Sequence, residues 1–248
     1  MDDCISRLNI ILTELFQTYS RMVNNPGVLL SGGIDSSLIT CFVSRNFSSY
    51  TALSMGTEET KDLKYVEIIC KYLDTSFKWI ELTKEKIMHI LPTVKSILTK
   101  ENIPVSLMQI SLASGYFLIF EKAKAMGISH IFTGQGPDVL FAGYHKYKTV
   151  TDVNREIKKD LILLETDKKR DSALAKYFGI QLINPYLEKD VVEFALSVPA
   201  EYKLHDGVEK LILRQYARQL GLPDTIANRP KKAFQYSTGI QNIVKQII

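Results

Sequence analysis

Seven residues, Ser31-Gly32-Gly33-Ile34-Asp35-Ser36-Ser37, have the composition of an anion cradle. Two glycines let backbone N–H groups come close to oxygen atoms. Ser31, Ser36 and Ser37 add hydroxyl donors. The apolar run Val28-Leu29-Leu30 before the loop reads as a buried strand, and Asp35 to Arg45 after it reads as a helix. The helix start then offers unpaired N–H groups and the positive end of a dipole, which is a phosphate site. No lysine lies in the loop, so it is not a Walker sequence. Asp35 would repel phosphates unless a cation stood between them, which predicts Mg²⁺ at Asp35.

A second glycine turn, Gly134-Gln135-Gly136-Pro137-Asp138, follows the strand-like Ile128 to Phe132. If the two strands are neighbours, Asp138 joins Asp35 in holding Mg²⁺ around a nucleotide triphosphate. Lys210 and Arg214 are four residues apart and would share one helix face. Lys231 falls in a loop after the last clear helix. Fixed cations of this kind stabilise charge that develops on phosphate oxygens. Taken singly, each segment has a plainer explanation: a turn, a capping aspartate or a solvated basic face. Together they make a nucleotide site the better reading.

The first string resembles the S-G-G-x-D-S pyrophosphate loop of the N-type ATP pyrophosphatases. Gly134 to Tyr144 is similar to the G-E-G-x-D-E-x-F-x-G-Y signature of asparagine synthetase and its relatives. Asn184-Pro185-Tyr186-Leu187-Glu188 resembles their V-P-F-L-D, Glu209 to Arg214 their E-K-x-I-L-R, and Arg229 to Phe234 their R-x-K-x-x-F. Five segments in family order identify the chain as resembling the synthetase domain of that family, over nearly its whole length. The resemblance implies ATP as substrate and Mg²⁺ as its companion. The enzyme would activate a carboxylate as its adenylate, release pyrophosphate and pass the acyl group to ammonia or an amine. Ser31, Gly32, Gly33, Asp35, Ser36 and Ser37 would hold pyrophosphate with Lys210 and Arg214. Leu30, Met55, Gly56 and Gly134 would line the base slot, and Lys231, Gln135 and Lys210 would take the catalytic positions.

The departures from the family lie at the acceptor end. The family's G-E-G glutamate, a candidate base, is Gln135, which cannot take a proton at neutral pH. A second family glutamate matches Gln181, and the arginine two residues later matches Ile183. Aspartate as the acid substrate is therefore one option among others. The family's glutaminase module begins with cysteine after the initiator methionine, whereas Asp2 follows Met1. The expected nitrogen source is free ammonia, a separate glutaminase subunit or an amine on the acceptor. Three readings remain open: an ammonia-using ligase of asparagine synthetase type, a ligase joining another carboxylate to an amine as β-lactam-forming or peptide-cyclising relatives do, and a non-catalytic ATP-binding regulator.

The elements that must position these residues alternate. Strand-like stretches at Tyr50 to Met55 and Phe77 to Leu82 are separated from the others by helical spacing at Asp62 to Leu73, Lys84 to Thr99 and Leu107 to Met126. A further helix, Cys4 to Met22, precedes the first strand. Strands separated by helices predict a parallel α/β sheet, here a core of ATP-pyrophosphatase type over residues 1–148. Residues 149–248 read as helical (Thr151 to Leu164, Lys168 to Tyr177, Glu188 to Leu196 and Val208 to Leu220). That part is expected to pack over the carboxyl ends of the strands, where open α/β sheets bind ligands, giving one synthetase domain overall.

The 248 residues include 31 basic and 27 acidic side chains, a net charge of +4. That excess is too small and dispersed for nucleic-acid binding. No apolar run approaches a membrane span and no signal pattern opens the chain. A cytoplasmic protein is expected, with Cys4, Cys41 and Cys70 as free thiols. Assembly into a homo-oligomer is compatible with the sequence.

Overall fold

The computed structural model describes all residues from Met1 to Ile248. Five parallel strands form one sheet: β1 (Gly27–Leu29), β2 (Thr51–Gly56), β3 (Phe77–Glu81), β4 (His130–Phe132) and β5 (Gln181–Ile183). Their spatial order is β3-β2-β1-β4-β5. Strands buried on both faces need apolar runs rather than alternation, and Val28-Leu29-Leu30 supplies one. The chain leaves β1 toward β2 on one side and comes back through β4 to its other side. That reversal is a topological switch point, where a crevice opens beyond the strand ends.

The helices that the sequence spacing marks are present with two exceptions, and four short helices after residue 199 are unmarked by it. On one face lie α1 (Asp2–Met22), α2 (Ile34–Asn46) and α3 (Asp62–Tyr72). On the other lie α4 (Lys84–Lys100) and α5 (Leu107–Ala125). A single turn, α6 (Pro137–Leu140), follows β4. Then comes α7 (Val153–Tyr177), one continuous helix where two were expected. The polar run Glu165-Thr166-Asp167 suggests a break, but Asp167 is held by Arg170 one turn on, at 2.7 Å, and both line an internal cavity. Polar residues at mid-helix here mark a polar interior surface, not a loop.

The remaining helices are α8 (Lys189–Ser197), α9 (Ala200–Lys203), α10 (Leu211–Gln219), α11 (Asp224–Ala227), α12 (Phe234–Ser237) and α13 (Ile240–Lys245). The second exception precedes α10. Val208 and Glu209 are not helical. They form strand β7 (Val208–Glu209) of a small hairpin with β6 (Leu204–His205), turning at Asp206 and Gly207. Both turn residues have positive φ, 47° and 74°, the conformation that Asp-Gly adopts in tight hairpins.

The region 149–248 does not build a core of its own. It adds β5 to the sheet beside β4, so it is not wholly helical. Val191, Phe194, Leu213 and Tyr216 pack with Leu8, Leu12, Phe16 and Leu38 on one face of the sheet. Leu174, Ile240 and Val244 pack with Ile90, Phe117 and Phe120 on the other. Burial of apolar area on both faces, not the helix propensities, ties the two halves together.

Candidate active site

A cavity of about 550 Å³ opens beyond the carboxyl ends of β1 and β4, within the range of small-molecule sites. The phosphate-loop strand and the Gly134 strand are direct neighbours, with Val28 paired to Phe132. Asp35 and Asp138 therefore face one space, as the two glycine turns predict. The tight geometry depends on two glycines. Gly32 has φ +70°, and a Cβ there would meet the Tyr65 backbone. A Cβ on Gly134 would lie 2.8 Å from the Ser36 backbone nitrogen. The turn after β4 is thus pressed onto the start of α2. Gly33, the residue before α2, leaves that helix without a side-chain cap. Its first N–H groups are free for an anion.

Lys210 is the centre of the charged cluster. It is 2% exposed, with Nζ 2.5 Å from Asp35 Oδ2 and 2.7 Å from Asp138 Oδ1. Lys210 is not on the helix with Arg214; it precedes α10 in a left-handed conformation, φ 56°. That backbone turn sends its side chain toward the two aspartates. Arg214 goes elsewhere. Its guanidinium donates to the Glu209 carbonyl and carboxylate and to the carbonyls of Ala227 and Arg229. The expectation of one shared cationic face does not hold. Although Arg214 touches the cavity lining, its guanidinium fixes the segment that leads to Lys231.

Lys231 stands at the rim of the same cluster. Its Nζ is 3.5 Å from Asp138 Oδ2 and 4.6 Å from the centre of the Tyr144 ring. Arg229, two residues earlier, donates to the Ser31 carbonyl at 2.7 Å and pairs with Asp62. It also lies over the Tyr65 ring at 4.0 Å. Arg229 thus ties the Lys231 loop to the phosphate loop. Asn184 and Tyr186 buttress it from the other side, Asn184 through Thr133 at 2.5 Å and Tyr186 through the Asp35 carbonyl at 3.4 Å.

The electrostatics follow from one buried lysine shared by two partly buried carboxylates. Burial works against charge on Lys210, but Asp138 and Asp35 outweigh it and hold the ammonium ionised. Burial raises the Asp35 carboxyl more than Lys210 lowers it, and Asp138 adds to the rise. For Asp138 burial also raises, but Lys210 and Lys231 together bring it below the usual range. One Asp35 oxygen, Oδ1, is buried with no hydrogen-bond partner, and Asp138 Oδ1 has only its ion-pair contact. No three metal-ligating side chains converge here as a cage. The free Asp35 Oδ1, beside an Asp138 held only by lysine ion pairs, fits Mg²⁺ of the kind that takes its other ligands from phosphates and water.

Not every expected residue reaches the cavity. Leu30, Ser31, Gly33, Asp35, Ser36, Met55, Gly134, Gln135, Asp138, Lys210, Arg214 and Lys231 line it. Gly32, Ser37 and Gly56 are not part of that lining. Ser37 is completely buried, because one residue further around α2 turns its side chain into the core. Gly32 serves the turn itself. Gly56 is covered by Thr60 and Trp79.

The far end of the cavity is made by Gln109 and Tyr116 of α5 and Asp167 and Arg170 of α7, which no motif marks, together with Tyr144, the last residue of the Gly134 to Tyr144 segment. Arg170 is 2% exposed and donates to Asp167, Asp171 and Gln109. Asp171 in turn accepts from Gln135 Nε2 at 3.1 Å. The polar run within α7 is the one sequence signal that could have found this group. Gln181 is exposed and Ile183 buried, and neither lies on the cavity.

Comparison with known proteins gives the family. The family model of asparagine synthase matches residues 20–177 and 157–247. Asparagine synthetase B [glutamine-hydrolyzing] of Escherichia coli (strain K12) is 27% identical over 86% of this chain and 41% of its own length. The asparagine synthetase [glutamine-hydrolyzing] 1 of Arabidopsis thaliana is 28% identical over 86% of this chain and 39% of its own. A Methanocaldococcus jannaschii protein, named only provisionally as a glutamine-hydrolysing asparagine synthetase, is 29% identical over 92% of this chain and 48% of its own. The chain spans less than half the length of these relatives. An NH3-dependent NAD synthetase from Campylobacter jejuni superposes over 99% of this chain and 93% of its own, at 17% identity and a TM-score of 0.41, a level at which likeness carries no argument. No helix is long and apolar enough to cross a membrane. The match over almost the whole chain, set beside the two aspartate loops and the lysines between them, places this protein in the asparagine synthase family.

Proposed function

We propose that this protein is an ATP-dependent ligase that activates a carboxylate as its adenylate and passes the acyl group to ammonia or an amine. The observation that carries the reading is the Asp35–Lys210–Asp138 cluster beside the open N-terminus of α2, with Lys231 at its rim. The β- and γ-phosphates sit in the Ser31–Ser36 loop, and the adenine lies toward Leu30, Met55 and Gly134. Asp35 and Asp138 would hold Mg²⁺, which neutralises the triphosphate when bound. A substrate carboxylate oxygen attacks the α-phosphorus, and the bond to the β-phosphate oxygen breaks, releasing pyrophosphate. Lys210 and Lys231 face the oxygens on which charge accumulates. The amine nitrogen then forms the C–N bond, the C–O bond to AMP breaks and one N–H proton leaves to water.

Aspartate is the first acid to test, with ammonia from solution or from a separate glutaminase subunit. A different carboxylate is the second reading, favoured by Gln135 in place of a glutamate and by an Arg170 already occupied by two carboxylates. The experiment is acid-dependent exchange of labelled pyrophosphate into ATP, with aspartate first and then the other standard amino acids. Exchange with one acid and AMP plus pyrophosphate as products support the ligase. ADP plus phosphate, or ATP binding with no exchange under any acid, would leave the regulator reading instead. A cytoplasmic location and homo-oligomeric assembly go with this proposal and are read by fractionation and by light scattering.

A further inference from the structure

We propose that Asp171 is a positioning residue for the nitrogen-transfer step, holding the Gln135 amide so that Oε1 faces the cavity and accepts a hydrogen bond from the attacking amine. The proposal deepens the ligase reading and rests on it. Asp171 is 1% exposed and does not itself line the cavity, whereas Gln135 does. Its Oδ1 accepts from Arg170 Nε at 2.7 Å and its Oδ2 from Gln135 Nε2 at 3.1 Å. An ionised carboxylate only accepts, so the NH2 corner of Gln135 must turn to it. The other corner, Oε1, is then the polar atom left for the cavity. The Gln135 backbone is fixed as well, its N–H donating to Thr133 Oγ1 at 3.2 Å.

Neutralising Arg170 does not by itself require Asp171. Arg170 Nη1 already donates to Asp167 at 2.7 Å and to Gln109 at 2.9 Å. One guanidinium against two carboxylates leaves one negative charge in excess. Such a wall suits an amine and offers no free cation to a second carboxylate. Gln135 takes no proton in the step; it orients the nitrogen lone pair toward the acyl carbon while the N–H proton leaves to water.

The arrangement depends on the charge of Asp171. Burial and the neighbouring Asp167 push its carboxyl up to about 6, with Arg170 and Gln135 opposing. The titratable or charged groups around it are Arg170 and Asp167 of α7 and Tyr116 of α5. When Asp171 is protonated, its O–H becomes a donor and meets the Gln135 NH2. The amide then turns over, and NH2 rather than Oε1 faces the cavity. In Asp171→Asn the Asn Oδ1 stays on Arg170 and its NH2 faces Gln135, which imposes the turned-over state at every pH.

The test uses the whole chain and the acid that supports pyrophosphate exchange, with ¹⁵N-ammonium chloride as nucleophile, or hydroxylamine where ammonium gives no amide. Transfer rates are expressed per unprotonated amine from about pH 5 to pH 8 and divided by the exchange rate. Wild type is expected to rise through a break near pH 6. Asp171→Asn should lose the break and lower the ratio about tenfold, the scale of one hydrogen bond made in the transition state. Gln135→Met, which removes the acceptor and leaves Asp171 on Arg170, should lower the ratio similarly and decides the matter if Asp171→Asn does not fold. An unchanged ratio in Gln135→Met, or an unchanged ratio and break in Asp171→Asn, would overturn the positioning role and leave the ligase reading standing. Absence of exchange with every acid would overturn both.

Discussion

The two ends of the cavity solve the same problem, buried charge, in different ways. At the phosphate end one lysine lies between two carboxylates, and each group comes from a different loop or helix start. Asp35 Oδ1 has no partner, and both Asp138 oxygens are held only by lysine ion pairs, so that end is the less completely paired of the two. At the far end one arginine lies between two carboxylates from its own helix, and a glutamine from each of two other segments completes the set. There every named oxygen of Asp171 is spoken for. The first arrangement waits for a partner; the second is already satisfied and presents only an amide edge. Incomplete pairing suits the place proposed for bond-making at phosphorus, and complete pairing suits the wall proposed to orient what is brought to it.

The largest effect is expected at the phosphate end. Asp35→Asn and Asp138→Asn should each abolish pyrophosphate exchange in the presence of Mg²⁺. Each variant leaves Lys210 one ionised partner, so circular dichroism and thermal melts should still show a folded chain. Near-normal exchange in either variant would break the comparison, because that aspartate would then be structural. Lys210→Met leaves two partly buried carboxylates facing each other with only Lys231, 3.5 Å from Asp138, as a cation. Breaking a buried pair from one side costs about 3–5 kcal/mol, to be read by urea unfolding. A loss below about 1 kcal/mol would show that the cluster is solvated rather than dry.

Lys231→Ala should slow adenylate formation about a hundredfold or more, since one preorganised charge-stabilising donor is worth about 3–4 kcal/mol. A much smaller loss would put Lys231 on a solvated rim.

The far end should show itself through pH rather than through a catalytic collapse. The Asp171 carboxyl sits at about 6 in the folded protein against an ordinary value of 3.8. The folded state therefore binds this proton more tightly than the unfolded chain. Its contribution to stability is present below the unfolded value and is lost as pH rises through about 6. Two pH units at about 1.4 kcal/mol each set an upper bound of roughly 3 kcal/mol. Urea unfolding of wild type and Asp171→Asn at pH 4 and pH 7 should show that difference shrinking in the variant. An equal pH dependence in the two would mean that folding does not shift the Asp171 carboxyl. The smallest effect is expected from Gln135→Glu. The new carboxylate would face Asp171 Oδ2, where like charges repel, so transfer should fall modestly rather than gain a base. A transfer rate that increases with pH in wild type, following free amine from about pH 6 to pH 9, would agree with the absence of a carboxylate base at position 135.

The sequence by itself determined the sheet and one end of the cavity. Strand-like stretches separated by helical spacing predict parallel strands, so β1, β2, β3 and β4 were legible, and the glycine turns after β1 and β4 made the facing of Asp35 and Asp138 legible too. Those residues lie in local motifs whose chemistry is set by immediate neighbours. Tertiary structure decided what depends on distant partners. The strand β5 is no shorter than β1 or β4, but no glycine turn follows it, and pairing with β4 is what makes it a strand. Lys210 and Arg214 share a helical spacing but part company because a hairpin at Asp206-Gly207 puts Lys210 in a left-handed turn before α10. The acceptor wall was the least legible. Gln109, Gln135 and Asp171 come from α5, the turn after β4 and α7, and spacing along the chain says nothing about a bond between residues 36 positions apart. The polar run inside α7 was read as a break because polar residues usually meet water; here they meet each other, and only the packing of α7 against α5 makes that possible.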